Sequence, residues 1–199
     1  MVKSTKPLQL NRSLVLGSKS PRRAQLLSDL GFDFRIEVTD ADENAPENLN
    51  GEETAVWISE QKAKALQPLL ADDELGITSD TEVWLDNRRF GKAADANKAR
   101  KMLQALSGKT HQVITGLSLV TRTKITSYCS VVQVHFDVLP SWAIEHYVST
   151  FKPFDKAGAY GIQEWIGQTY IHRVEGEYNA VVGLPTSTLF KALEPYLKA

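Results

Sequence analysis

Only one of the 199 residues is a cysteine. Cys129 has no second cysteine to pair with, so no disulfide framework holds this chain together, and a reducing compartment suits it. Long apolar runs are also missing. No stretch approaches ~18 apolar residues, which argues against a membrane-spanning helix. The opening "MVKSTKPLQLNRS" holds no apolar core and no small-residue cleavage site, so it does not read as a secretory signal. There is no surplus of charge either. Lys and Arg number 23 against 24 Asp and Glu, giving a net charge of -1, so nothing global draws nucleic acid or an acidic membrane. Repeats and low-complexity tracts are absent. The four histidines, His111, His135, His146 and His172, show no metal-ligand spacing and read as structural or surface residues. No G-x-S-x-G occurs and Cys129 has no obvious base, so covalent hydrolysis has little support. A cytoplasmic α/β protein is the simplest reading, its length that of one domain over 1–199, possible as two lobes.

What is present begins with "GSKSPRRAQLL", Gly17 to Leu27. A short apolar strand, about Ser13 to Leu16, precedes it. Ser20 is a good N-cap, Pro21 suits the first helical position, and Gly31 would close a helix begun there. Lys19, Arg22 and Arg23 then crowd the positive end of the helix dipole, at a cost of roughly 0.3–1 kcal/mol each. Cations at a helix N-terminus fit an anion site, where free N–H groups and bidentate guanidinium donors meet phosphate. The alternative is that each side chain points into water. The phosphate loop pattern G-x-x-x-x-G-K-[ST] is absent, so a P-loop enzyme is not indicated.

Further along, "FRIEV" leads into an acidic loop, "TDADENAPENLNGEE". A helix from near Glu52 carries Ala55, Ile58, Ala65 and Leu69 at helical spacing, with Lys62 on that stripe and Pro68 at its end. "LGITSD" reads as a buried strand ending at Asp80, and "EVWLDNRRF" as a hairpin turning at Asp86-Asn87. Asp95 caps a helix with Ala99, Met102, Leu103 and Leu106 on one face, ended by Ser107-Gly108. Two long strands follow, about Gln112 to Val120 and Ile125 to Val138. In the second, Tyr128, Val132, Val134, Phe136 and Val138 share a face. A short helix covers about Ser141 to Val148. "KPFDKAGAYGIQEW" reads as a loop, and "YIHRVEGEYNAVVGLP" as a strand and a loop. The last helix buries Leu189, Phe190, Leu193 and Leu197. Early alternation of strands and helices with later strand pairing implies a mixed twisted sheet flanked by helices.

Each polar candidate has two readings. Asp80, at the mouth of an apolar strand, is a metal ligand or base, or a turn former. Lys62 snorkels, or faces a cleft. Glu43 in "DADE" is solvated, or supplies an oxygen to Mg²⁺. Lys92 is a surface residue or a phosphate contact. Gln163, after a glycine-rich turn, has an amide able to read a base edge.

The chain resembles the Maf family of nucleoside triphosphate pyrophosphatases. The resemblance runs from about Leu14 to Leu193, through "GSKSPRRAQLL", "DADE", "SEQKAKAL", "SDTEV", "GKAADANKARKMLQALSGKTHQVITG", "DKAGAYGIQ" and "VEGEYNAVVGLP". It implies hydrolysis of a nucleoside triphosphate to the monophosphate and pyrophosphate with Mg²⁺ or Mn²⁺. It also implies two lobes around a deep cleft, as in the related deaminated-purine pyrophosphatases, and often a homodimer. By motif position, Ser18, Arg22 and Arg23 would line the phosphate loop. Glu43, Lys62 and Asp80 would form the catalytic group, with Glu43 and Asp80 on the metal, and Lys92 and Gln163 would contact the nucleotide. Arg22, Thr81 and Ile162-Gln163 look like the branch acting on dTTP and UTP rather than 7-methyl-GTP. The sequence departs from the family at Gly17, Lys19, Trp57, Ala93 and Glu164. Two rival readings are a pyrophosphatase for deaminated purine nucleotides and a nucleotide-responsive regulator of cell division without turnover.

Overall fold

A computed structural model describes residues 8–198. Seven strands form one mixed sheet: β1 (Ser13–Leu16), β2 (Phe34–Ile36), β3 (Glu74–Leu85), β4 (Arg88–Arg89), β5 (Thr110–Val120), β6 (Ile125–Phe136) and β7 (Ile171–Glu175). The helices are α1 (Pro21–Asp29), α2 (Gly51–Leu66), α3 (Ala96–Leu106), α4 (Ser141–Phe151), α5 (Trp165–Tyr170), α6 (Tyr178–Val182) and α7 (Thr186–Leu193). Strand order is β2-β1-β3-β5-β6-β7, with β4 also on β3. β1 runs parallel to β2 and β3, and the later pairings are antiparallel. This is the mixed sheet flanked by helices that the sequence implies.

Alternation along β1 sorts the layers. Leu14 and Leu16 pack with Leu27 of α1 and Leu189 and Leu193 of α7, while Val15 packs with Ala63 and Leu66 of α2 on the opposite face. A separate core joins Val132, Val134 and Phe136 of β6 to Leu103 of α3 and Tyr147 of α4. Helix α2 lies close on the sheet because β5 has glycine at the crossing. A Cβ on Gly116 would sit 2.1 Å from the Ala55 carbonyl oxygen.

Local signals account for several element ends. Asn50 and Glu53 form a capping box at the start of α2, and Asp95 caps α3 through the Lys98 N–H. Asp86 and Asn87 both take positive φ in the β3–β4 hairpin, the conformation that a tight two-residue turn demands.

Some expectations need correction. β3 does not end at Asp80 but continues to Leu85, because β5 pairs with it from Gly76 to Trp84. The buried stripe of α2 runs through Ala55, Ile58, Ala63 and Leu66. Ala65 is only half-buried, and Leu69 is exposed in a 3-10 turn that starts before Pro68. Val138 lies beyond β6, past a register shift at His135/Phe136, and is exposed. α4 extends to Phe151, α5 fills a stretch to which the sequence assigned no element, and α6 occupies a stretch expected to be loop. α7 stops at Leu193, so Leu197 lies past its end and bridges to Leu10. No helix among the described residues is long and apolar enough to cross a membrane.

Candidate active site

β3 is paired by β1 only up to Ile77 and by β4 only from Trp84. The stretch between keeps β5 on one side and presents its other edge to a cleft of about 810 Å³. This explains how a mid-strand aspartate becomes accessible. The cleft opens beyond the carboxyl ends of β1 and β2, the usual place for a ligand in an open α/β sheet. Gly17 to Arg23 form one wall, the segment from Thr39 to Asn44 another, and residues between Asp155 and Gln163 face them. All nine site residues expected from the sequence line this cleft.

Lys62 reaches from α2 to the floor. Its Nζ donates to Asp80 Oδ1 at 2.6 Å and lies 3.0 Å from Glu43 Oε1. The Lys62 and Asp80 side chains are largely buried, whereas the Glu43 side chain is half exposed. Lys62 therefore does not snorkel to the helix edge. It holds two carboxylates from different segments together.

The cations at the start of α1 have separate arrangements. Arg22 pairs with Asp155 at 2.8 Å, on the facing wall. Arg23 donates through Nε to the Gly183 carbonyl at 2.8 Å and through NH1 to Ser18 Oγ at 3.3 Å. Its NH2 lies 3.5 Å from Thr81 Oγ1, which also accepts from Thr115 at 3.1 Å. Burial pulls the Arg23 pKa down, opposed by the Asp80 charge. Lys92 is exposed, and an antiparallel bridge to Ala157 ties its strip of chain to the facing loop. Gln163 is half-buried at the cleft, its carbonyl engaged by Gln168 Nε2 at 2.8 Å.

Sequence reasoning missed Glu82, Arg89, Asp155 and Lys156, which also line the cleft. Glu82 is two residues from Asp80, hence on the same face of β3, and that period was the available signal. Arg89 returns across the hairpin to bind both Glu82 carboxylate oxygens, at 2.5 and 2.7 Å. Burial raises the Glu82 pKa well above the usual carboxylate range, against the pull of Arg89. Lys156 lies 2.8 Å from Asp155 Oδ1 and 3.0 Å from Glu164 Oε1.

The histidines hold structural or surface positions. His111 Nε2 bonds the Tyr160 hydroxyl in the core, His135 meets Glu175, His172 meets Asp137, and His146 packs on Trp165. Partial desolvation pushes the Cys129 thiol up to about 11, the wrong direction for a nucleophile.

Glu43 and Asp80 meet at Lys62 and could hold a cation there, while the neighbouring Glu82 is taken up by Arg89. Among the described residues no cluster of three or more His, Cys, Asp or Glu has metal-holding geometry. Mg²⁺ keeps several waters and takes one or two carboxylates together with substrate phosphates. The pair fits a cation that arrives with a polyphosphate rather than one held in an all-protein cage.

These features define a mixed-sheet α/β protein whose cleft gathers cations and carboxylates beyond the ends of its parallel strands. The profile of the family described as Maf-like protein matches residues 13–196, and the chain belongs to that family. A relative from Bacteroides fragilis named dTTP/UTP pyrophosphatase is 42% identical over 182 residues, covering 91% of this chain and 94% of the relative. Proteins of the same name from Phocaeicola vulgatus and Christiangramia forsetii are 43% and 40% identical, over 91% and 95% of this chain and 94% and 96% of their own lengths. Among solved structures, the Staphylococcus aureus Ham1 protein aligns at 17% identity and a TM-score of 0.43, over 63% of this chain and 72% of that one.

Proposed function

We propose that this protein is a nucleoside triphosphate pyrophosphatase acting on dTTP and UTP, releasing the monophosphate and pyrophosphate. The observation that carries the reading is Lys62 joining Asp80 and Glu43 inside a cleft walled by Arg22 and Arg23. The names of the similar proteins supply the substrates. The family resemblance supports a homodimer, and the lone cysteine and balanced charge support a cytoplasmic protein that binds no nucleic acid. A single sheet whose end segments meet at Leu10 and Leu197 supports one domain over the chain.

Glu43 and Asp80 would hold Mg²⁺ or Mn²⁺, which when bound would supply Lewis-acid neutralisation of phosphate charge. Asp80 orients the attacking water and takes its proton, and Lys62 fixes the carboxylate in one direction. The water oxygen bonds to the α-phosphorus as the bond to the bridging oxygen breaks, and pyrophosphate leaves. Ser18 and the N–H groups at the start of α1 receive phosphate oxygens. Arg22, Arg23 and Lys92 meet the charge that grows on the leaving group, with Lys62 beside them. Thr81 and Gln163 face the nucleoside. The cations that burden the start of α1 are then offset by the charge of the substrate.

Pyrophosphate release with Mg²⁺ across dTTP, UTP, CTP, 7-methyl-GTP and ITP tests the assignment. Turnover of dTTP and UTP above the others is expected. Preferential turnover of 7-methyl-GTP or ITP would overturn the substrate assignment. Nucleotide binding without turnover, with Mn²⁺ as well as Mg²⁺, would overturn the enzyme.

A further inference from the structure

The turn that carries Gln163 is stapled at both ends by one phenol. Glu164 N–H donates to the Gly161 carbonyl at 3.0 Å, which closes the turn. The hydroxyl of Tyr147, a buried residue of α4, accepts from the Gly161 N–H at 3.0 Å and donates to Glu164 Oε2. Burial raises the Tyr147 pKa, so the phenol stays protonated and the direction of its bond to Glu164 is fixed. The other Glu164 oxygen lies 3.0 Å from Lys156 Nζ. Glu164 is the N-cap residue of α5, yet its side chain makes no capping bond. It folds back instead over Gly161, where an added Cβ would lie 2.8 Å from its carboxyl carbon.

Gln163 thus sits between two anchored residues. Its side-chain amide has no hydrogen-bond partner among the described residues, although its carbonyl is engaged. An amide offers a donor and an acceptor, and turning over exchanges them. Uracil presents an acceptor where cytosine presents an amino donor. The staple holds the backbone of the turn, and so fixes the place from which the amide meets the base edge; on a displaced turn the amide can approach either base from other directions.

We propose that Glu164 and Tyr147 are positioning residues for Gln163, and that through it they set which pyrimidine the cleft accepts. The inference rests on the reading of Gln163 as the base contact. A role confined to stability would lower the melting temperature and leave the ratio of UTP to CTP unchanged.

The test is kcat and KM for pyrophosphate release from UTP and CTP, with melting temperature measured beside them. Tyr147→Phe is isosteric, Glu164→Ala removes the carboxylate, and Glu164→Gln keeps an acceptor for the phenol. We expect Tyr147→Phe and Glu164→Ala to lose the preference for UTP by about tenfold or more, the scale of a small misplacement of a binding group. The loss should lie chiefly in KM for UTP, with kcat within about threefold of the parent, and Glu164→Gln should restore most of the preference. An unchanged ratio in folded Tyr147→Phe would overturn the inference and leave the pyrophosphatase reading intact. Equal losses on both nucleotides would also overturn it. A parent protein that releases no pyrophosphate from UTP would overturn both.

Discussion

Arg89 shows how a single residue acquires a role that its sequence position does not announce. Its guanidinium satisfies both oxygens of Glu82, which is almost fully buried. Arg89→Ala leaves that carboxyl without its donors, and a loss of about 1–3 kcal/mol is expected in urea unfolding. A loss within experimental error would show that the pair contributes nothing. His111 gives a prediction in pH. Burial lowers its pKa to about 3, so the folded protein binds fewer protons there than the unfolded chain, whose histidine titrates near 6.5. Its contribution is complete above that unfolded value and is lost as pH falls towards 3. The slope it adds approaches ~1.4 kcal/mol per pH unit between the two values. His111→Gln should flatten the stability curve in that window, and parallel curves would count against a neutral buried imidazole. At this scale Asp80 stood out as an acid in an apolar strand, Lys62 as a lysine on an apolar stripe and Glu43 as part of an acidic loop, and the structure brings the three side chains together. Asp155 and Lys156 lay within a family landmark but were not singled out. Their partners, Arg22 and Glu164, come together only through the fold.

The elements were legible where they were long or punctuated. α3 announced itself through Asp95 and its apolar face, and the β3–β4 hairpin through Asp86-Asn87. α5 and α6 have only six and five residues, too few to show a helical period. The length of β3 depends on a partner strand thirty-odd residues away, which no local signal reports. Gly116 sets how closely α2, and Lys62 with it, can approach β3. Gly116→Ala places a methyl against the α2 backbone, where neither side can yield. A destabilisation at the upper end of the overpacking range, about 3 kcal/mol, is expected from thermal or urea unfolding. A variant as stable as its parent would show that the close crossing of α2 on β5 is not required.

The whole molecule carries almost no net charge, yet one cleft concentrates Lys19, Arg22, Arg23 and Lys92. The mixed sheet followed from the order of elements, but the cleft arises where β1 stops and β4 has not begun, a property of the assembled sheet. A polyanion attracted by the cations that reach solvent, Lys19, Arg22 and Lys92, is screened by salt over a Debye length of about 8–10 Å at 0.10–0.15 M ionic strength. KM for dTTP should therefore rise with ionic strength while kcat changes little. A KM indifferent to salt would argue that short-range contacts alone hold the triphosphate.

The central claim is that Asp80, held by Lys62, drives attack on a nucleoside triphosphate in this cleft. The most direct measurement is pyrophosphate release from dTTP with Mg²⁺, comparing the parent with Asp80→Asn at saturating nucleotide. The account predicts a fall in kcat of about 100-fold or more, the scale of losing a positioned general base, in a protein that still folds. Full activity in the folded variant would contradict it.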